Sequence, residues 1–269
     1  MNNDQRGSYK VDTMCDPDKE LSRLKRQGEL FKEIETRTLR QCGLQADDHV
    51  LELGCGPGFV TAILAELANE GALISVDNDP NLLTQLNSRE INKPREGFRV
   101  IEASADSVPL EDSWADFVYA RFLLQHVPTP QSIVDEAYRC TKPGGVFCAV
   151  DSDDGLIIHH PQDTAIDQFL DQAQKKQYEY GGDRFVGRKL SELLCKTGFI
   201  NIKASVLSLT TTEVPPEILF GILFGYKSTL VGGSDSVESF LRSLTDRAER
   251  GDLLLSAGVF IVVGQKPLV

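Results

Sequence analysis

The chain has 269 residues, enough to bury a real core in one large or two small domains. Its hydrophobic content of 41% and charged content of 25% are ordinary for a water-soluble globular protein. The formal net charge of −12 disfavours a polyanionic partner, because phosphate binding is driven by contacts with Lys and Arg. We therefore expect no nucleic-acid partner.

Six cysteines are scattered through the chain without a CxxC pair and without a histidine at metal-ligand spacing. This usage predicts reduced thiols and no metal site. The first residues lack the basic and then apolar pattern of a signal peptide. The longest apolar stretch, residues 218–231, is interrupted by two glycines and Lys227, and a bilayer span needs about 18 apolar residues. These features predict a cytoplasmic chain without a membrane partner.

The first predicted elements are a polar arm over residues 1–17 and a helix from Asp18 to about Cys42, where apolar residues recur at helical spacing. Strands and helices alternate from residue 50 onward. The predicted strands are 50–53, 72–76, 98–101, 116–120, 146–150, 200–209 and 258–263. The predicted helices between them are 61–69, 80–89, 132–140, 164–179 and 185–195, with a second helical stretch at 214–250.

This alternation indicates βαβ units and a parallel sheet covered by helices on both faces. The predicted fold is therefore α/β, a Rossmann-like, doubly wound, mostly parallel seven-stranded sheet with helical lid insertions. Residues 1–44 are expected to form an N-terminal arm and helix, and residues 45–269 the main domain. Insertions at about 155–185 and 214–250 are expected to fold over the ligand end of the sheet.

The glycine-rich segment Val50-Leu51-Glu52-Leu53-Gly54-Cys55-Gly56-Pro57-Gly58 lies between a predicted strand and a predicted helix. Glycines there allow a sharp turn and a close approach of the backbone to a ligand. Such a turn would also suit NAD, but Phe59 occupies the position of the third glycine and Pro57 has no N–H for a pyrophosphate. Asp77 ends the next strand about 20 residues on, where an acid can bind both hydroxyls of a ribose.

Glu52 to Gly58 followed by Val76-Asp77-Asn78-Asp79 resembles the class I S-adenosylmethionine (SAM)-dependent methyltransferases, in particular their ubiquinone-biosynthesis-like small-molecule branch. Further segments are similar to that family in the same order, at 103–109, 114–119, 124–128 and 139–145. Together they cover about residues 45–152. The resemblance implies SAM as the cofactor, covered by the N-terminal helix.

The resemblance also implies where the cofactor would bind. Gly54, Gly56 and the backbone of Cys55 would cradle the methionine end, and Glu52 would support the loop or reach the amino group. The other implied contacts are Asp77 with the ribose, Asn78 beside the adenine, Arg121 near the methionine carboxylate or amine, and Gln27 and Tyr9 capping from the N-terminal segment. Ser104, before Ala105, stands where the family usually has the acid that accepts from the adenine amino group, and Asp106 is its expected substitute.

Candidates for catalysis are His126, after the fourth strand, and His160, in the first insertion. A general base is needed only if the acceptor must lose a proton during transfer, and either residue could instead be a packing residue. Asp151-Ser152-Asp153-Asp154 could suggest a divalent cation. We expect a solvated acidic loop there, because nothing in the sequence places further ligands.

The sequence thus predicts a SAM-dependent methyltransferase (EC 2.1.1.-) that methylates O, N or C of a small organic acceptor, of a secondary-metabolite or quinone-like kind. Aromatic residues in the insertions suit an apolar or aromatic acceptor, and they equally suit core packing. A monomer or a homodimer is expected. The main alternative is a SAM-binding protein of this fold that transfers no methyl group but steers another reaction. An RNA or protein methyltransferase and a nicotinamide oxidoreductase are less favoured.

Overall fold

The computed structural model describes residues 17–88, 97–233 and 235–268, so Tyr9 lies outside the described residues. The described chain folds into one eight-stranded sheet with helices on both faces. The strands are β1 Val50–Leu53, β2 Leu73–Asp77, β3 Phe98–Glu102, β4 Ala115–Arg121, β5 Thr141–Ser152, β6 Ile158–His160, β7 Ile200–Thr210 and β8 Leu254–Gln265. The helices are α1 Pro17–Gln41, α2 Phe59–Leu67, α3 Pro80–Asn87, α4 Pro130–Cys140, α5 Thr164–Glu179, α6 Leu190–Thr197, α7 Pro216–Leu230 and α8 Asp235–Glu249.

The sheet has the order β3-β2-β1-β4-β5-β8, and β7 pairs with the far edge of β8. The first five strands are parallel, and β8 is antiparallel to both β5 and β7. The sequence predicts seven of the eight strands. The additional strand, β6, has three residues. It pairs with β8 on the same side as β5, because Ser152 of β5 pairs with Val259 of β8 and Ile158 of β6 pairs with Ser256 of β8.

Two apolar layers enclose the sheet because successive side chains of a strand point to opposite faces. On one face Leu51 and Val118 pack against α4 and α6, and on the other face Val50 and Phe117 pack against α1 and α2. All four residues of β1 are buried. Burial on both faces explains why β1 is apolar except for Glu52.

The two helical excursions share a third apolar cluster. Phe169 of α5, Phe224 of α7 and Leu244 of α8 meet there, together with Leu255 at the start of β8. Helix α7 also contacts α1, so elements far apart in sequence pack beside the carboxyl ends of the parallel strands. In the described part of the chain no helix is long and apolar enough to cross a membrane.

Candidate active site

The glycine-rich loop leaves β1 at Leu53 and enters α2 at Phe59. Its course is fixed by the amides of Gly54 and Cys55, which both donate to the carbonyl of Val76, at 2.8 and 3.0 Å. Gly54, Gly56 and Gly58 have φ angles of 70°, 53° and 82°, in the left-handed region that favours glycine. A Cβ on Gly56 would have no neighbour within 4 Å, so this part of the loop faces open space.

Asp77, at the end of β2, binds the loop from the neighbouring strand. One carboxylate oxygen accepts from the amide of Gly56 at 2.8 Å, and the other accepts from the amide of Asp79 at 3.0 Å. Burial raises the pKa of Asp77, and these backbone hydrogen bonds oppose that shift. Each carboxylate oxygen can accept further hydrogen bonds, so the group can still receive two hydroxyls of a ligand.

Glu52 lies beneath the loop and is 3% exposed. Its Oε2 accepts from the hydroxyls of Thr61 and Ser75, each at 2.7 Å, and so joins β1 to α2 and β2. Burial raises the pKa of Glu52 to about 7 against an ordinary 4.5, because desolvation exceeds the effect of the two hydrogen bonds. Glu52 therefore carries a proton for part of the time near neutral pH.

Helix α1 covers the loop and is held to the sheet by a buried ionic contact. Glu35 accepts from the hydroxyl of Tyr119, and Arg121 Nε lies 3.2 Å from the same carboxylate. The Arg121 guanidinium also lies 4.6 Å from the ring centroid of Phe122, whose φ is 53°. Gln27 lies nearer the start of α1 than Glu35. Its side chain is buried and accepts a hydrogen bond from Arg23 at 3.2 Å.

His126 lies in a 3₁₀ turn after β4, opposite α7 and the end of α5. Its ring meets Tyr226 edge to face at a centroid distance of 5.1 Å. Gln177 Nε2 lies 3.4 Å from His126 Nδ1 and donates to the carbonyl of Gln125 at 2.8 Å. Burial lowers the pKa of His126 well below 6.5, and the positive charges of Arg184 and Arg23 lower it further.

The acidic segment after β5 is not the solvated loop expected from the sequence. Asp151, Asp153 and Asp154 are 0, 1 and 6% exposed. Asp151 accepts from the amides of Gln125 and Ser152, and burial raises its pKa to about 7. The prediction was wrong because the side chains that pair with Asp153 and Asp154 lie 30 or more residues away, where local sequence does not reveal them.

Asp154 is the centre of a buried ionic cluster with Arg184 and Lys227, which we call the Lys227 cluster. Arg184 Nη2 lies 2.9 Å and Lys227 Nζ 3.2 Å from Asp154 Oδ1. Arg184 is 8% exposed and Lys227 only 1% exposed. In the part of the chain that the structure describes, no group of three or more His, Cys, Asp or Glu side chains could hold a metal ion.

One cavity of about 480 Å³ joins these features. Its walls include nine of the residues predicted from the sequence: Gln27, Glu52, Gly54, Cys55, Gly56, Asp77, Asn78, Arg121 and His126. Ser104 and Asp106 are exposed after β3, and neither they nor Ala105 lines the cavity. His160 is exposed on β6 and also lies outside the lining.

Sequence reasoning missed the cationic wall of this cavity, formed by Arg23, Arg184 and Lys227. In the sequence, Lys227 only interrupts an apolar stretch. The signal was present in that interruption, because a lone lysine on a helix rich in Leu and Phe must be paired or lie beside a ligand when the helix is buried.

Residues 51–149 match the family of methyltransferase domains. A demethylmenaquinone methyltransferase of Oceanobacillus iheyensis is 25% identical over 126 residues, which are 46% of this chain and 53% of that protein. The matched segment thus spans about half the length of the curated relatives.

Solved structures share the fold of this chain. The phosphoethanolamine N-methyltransferase 2 of Haemonchus contortus, in complex with S-adenosyl-L-methionine, superposes with a TM-score of 0.59 at 19% identity and covers 87% of this chain and 52% of that one. The [4+2]-cyclase SpnF superposes with a TM-score of 0.57 at 15% identity and covers 88% of this chain and 81% of that one. At such identities the likeness establishes the fold.

The segment from β1 to β5 is therefore similar to methyltransferase domains. The resemblance to class I SAM-dependent methyltransferases and the Rossmann-like fold, both expected from the sequence, are confirmed.

Proposed function

We propose that this chain is a SAM-dependent methyltransferase (EC 2.1.1.-) that transfers a methyl group to O, N or C of a small organic acceptor. One observation carries the proposal. A single cavity runs from the glycine-rich loop and Asp77 to an apolar wall under α7, so cofactor and acceptor can meet inside it. The matched family of methyltransferase domains supports methyl transfer.

The loop and Asp77 fit the cofactor. Gly56 leaves open space where a side chain would stand, and the Asp77 oxygens retain acceptor capacity for the ribose hydroxyls. Gln27 and Arg121 would hold the methionine end, and Asn78 would lie beside the adenine. Ser104, Ala105 and Asp106 remain predictions as adenine contacts. SAM, when bound, supplies a methyl group on a cationic sulfur, which an acceptor atom attacks in line.

The residues around the acceptor mainly orient it and exclude water, and such positioning can supply much of the rate enhancement. Gln177 has its amide orientation set by the Gln125 carbonyl and by Arg184, 3.5 Å from its Oε1. Gln177 Nε2 therefore donates toward His126 Nδ1. The neutral imidazole then carries its proton on His126 Nε2. We assign His126 the role of a neutral hydrogen-bond donor that orients the acceptor.

The apolar wall supports a quinone-like or other apolar acceptor, and one of the relatives is a demethylmenaquinone methyltransferase. A second candidate function is a SAM-binding protein that steers another reaction. It is favoured by the likeness to the [4+2]-cyclase SpnF, whose fold is the same.

Calorimetric titration with SAM and with S-adenosylhomocysteine (SAH) tests the proposal, followed by a mass-shift screen of small acceptors. Micromolar binding and a gain of one methyl group in an acceptor are expected. Binding without transfer to any acceptor supports the second candidate. Binding of neither nucleoside contradicts the role given to the glycine-rich loop.

A further inference from the structure

The acceptor half of the cavity has two kinds of wall. One wall is apolar and consists of Leu207, Leu209, Leu219, Ile222, Leu223 and Val259. The other wall includes Arg184 and Lys227, both almost fully buried. Buried cations beside a cavity are unusual, because an ion loses its hydration there and needs an opposite charge in return.

The charges of the Lys227 cluster do not balance. Arg184 and Lys227 share the single carboxylate of Asp154. Asp151, which also interacts with Arg184, has a pKa of about 7 and supplies only part of a second negative charge. The positive charge of Arg23 on α1 also lowers the pKa of both Lys227 and His126.

Lys227 is the least satisfied member of this cluster. Its ammonium donates to the Leu223 carbonyl at 3.0 Å and approaches Asp154 Oδ1 at 3.2 Å. An ammonium has three N–H donors, so these two partners in the described residues leave one N–H. Burial lowers the pKa of Lys227 to about 8, and the charges of Arg184 and Arg23 add to this effect against Asp154. An anion bound beside Lys227 would offset the desolvation of its ammonium and the repulsion by the neighbouring arginines.

The position of the cluster separates it from the expected cofactor site. Asp154 follows β5, whereas the glycine-rich loop and Asp77 follow β1 and β2. The sheet order β2-β1-β4-β5 places the cluster three strands away from Asp77. The proposed contacts of the methionine carboxylate, Gln27 and Arg121, lie on α1 and β4, which leaves the cluster after β5 for a different anion.

We propose that the acceptor is an apolar organic acid whose anionic oxygen group binds Lys227 and Arg184 while its apolar body lies on the leucine-rich wall. This inference rests on the proposed function, because it names the class of molecule that the acceptor half receives. Two sources share the chemistry, a carboxylate and an ionised phenol, and the test separates them.

The probes are pairs of similar size and shape, one anionic and one neutral: 2-naphthoate with 2-naphthamide, and 4-nitrophenol, largely ionised at pH 8, with 4-nitroanisole. Each is titrated calorimetrically into the full chain at pH 7 and pH 8, with and without SAH. We expect a preference of at least tenfold for an anionic probe over its neutral partner. A preference in the first pair points to a carboxylate, and a preference confined to the second pair points to a phenolate.

Variants test whether Lys227 causes the preference for anionic probes. In Lys227→Met the anionic probe should lose at least tenfold in affinity while the neutral partner changes less than threefold, and Lys227→Arg should keep most of the preference. Lys175→Met removes an exposed lysine of α5 and should behave as the wild type. Affinity for SAH should change less than twofold in all three variants.

Several results would overturn the inference. Equal wild-type affinity for charged and neutral probes would do so, as would the absence of binding by every anionic probe at millimolar concentration. A Lys227→Met variant that loses SAH instead would assign the cluster to the cofactor. If the wild type prefers the anions but binds neither SAM nor SAH, the proposed function fails and the anion site stands.

Discussion

Glu35 on α1 accepts a hydrogen bond from the hydroxyl of Tyr119 on the central strand β4, 84 residues further along the chain. The same carboxylate pairs with Arg121 on that strand. This contact holds the first helix across the candidate cofactor site. It links the stability of the fold to the shape of the cavity, because α1 also carries Gln27.

Glu35→Ala should therefore weaken both folding and cofactor binding. It leaves the Arg121 guanidinium buried without its carboxylate, which costs about 3 kcal/mol in comparable cases. Urea unfolding should show that loss, and calorimetry should show roughly a tenfold weaker affinity for SAH, equivalent to about 1.4 kcal/mol. Glu33→Ala changes an exposed residue of the same helix and should leave both values near those of the wild type.

Asp77→Asn tests the ribose assignment. The substituted amide would place an N–H group against the amide of Gly56 or of Asp79, both of which donate to Asp77. We expect the affinity for SAH to fall by at least tenfold, with a loss of about 1–3 kcal/mol in the free energy of unfolding. Asp171→Asn, on the exposed face of α5, is the control. Unchanged affinity for SAH in the Asp77 variant would argue against contact with the ribose.

Replacing two helical glycines by alanine should change the free energy of unfolding in opposite directions. A Cβ on Gly28 of α1 would lie 2.8 Å from the Cβ of Phe59, whereas a Cβ on Gly221 of α7 would meet nothing within 4 Å. Gly28→Ala should lower the free energy of unfolding by about 1–3 kcal/mol through overpacking. Gly221→Ala should raise it by up to about 1 kcal/mol, because alanine favours the helix. Denaturant titration of both variants measures the contrast, and a stabilised Gly28 variant would mean that α1 packs less closely on α2.

Glu52 and Asp151 should each make a contribution to stability that falls between about pH 4.5 and pH 7. Glu52 has a pKa of about 7 in the folded protein against an ordinary 4.5, and Asp151 about 7 against 3.8. In this range the folded chain holds protons that the unfolded chain has released, so rising pH favours unfolding.

Glu52→Gln keeps an oxygen that can accept from Thr61 and Ser75 but cannot ionise. Its free energy of unfolding, measured at pH 5, 6 and 7.5, should therefore depend less on pH than that of the wild type. Glu66→Gln, an exposed change on α2, should keep the wild-type pH dependence. A steeper decline in the Glu52 variant would contradict the burial effect.

His126 and His160 should differ sharply in their effect on catalysis. Once an acceptor is known, His126→Ala should lower kcat/KM about tenfold, the value of one hydrogen bond to the acceptor. The pH profile of the wild type should show no step near pH 6.5, because burial keeps the pKa of His126 well below that value. His160→Ala, outside the cavity, should retain wild-type kinetics within twofold. A fall in kcat/KM at low pH that disappears in the His126 variant would indicate a general base instead of a donor.

The sequence predicts the sheet well because parallel strands buried on both faces leave short apolar segments between helices. The prediction of β1 at Val50–Leu53 and of α5 at Thr164–Glu179 matches the structure residue for residue. β6 was missed because its three residues, Ile-His-His, show no alternation and pair only through β8. Local patterns cannot reveal such a strand.

The candidate site likewise contains residues that local sequence predicts and residues that it does not. Gly54, Gly56 and Asp77 follow from local sequence, because backbone conformation and strand ends determine their places. Lys227 and Arg184 depend on packing between α7 and the segment after α5, which meet only in the folded chain. Their partner Asp154 could not be recognised as buried for the same reason.

The pairing of β8 determines the order in which the sheet can be completed during translation. β7 reaches the sheet only through β8, which runs antiparallel between β5 and β7 in the described part of the chain. A nascent chain that has emerged as far as residue 253 holds β7 without its neighbour. β7 can dock only after β8 has left the ribosomal tunnel, so this edge of the sheet is completed later than the segment from β1 to β5.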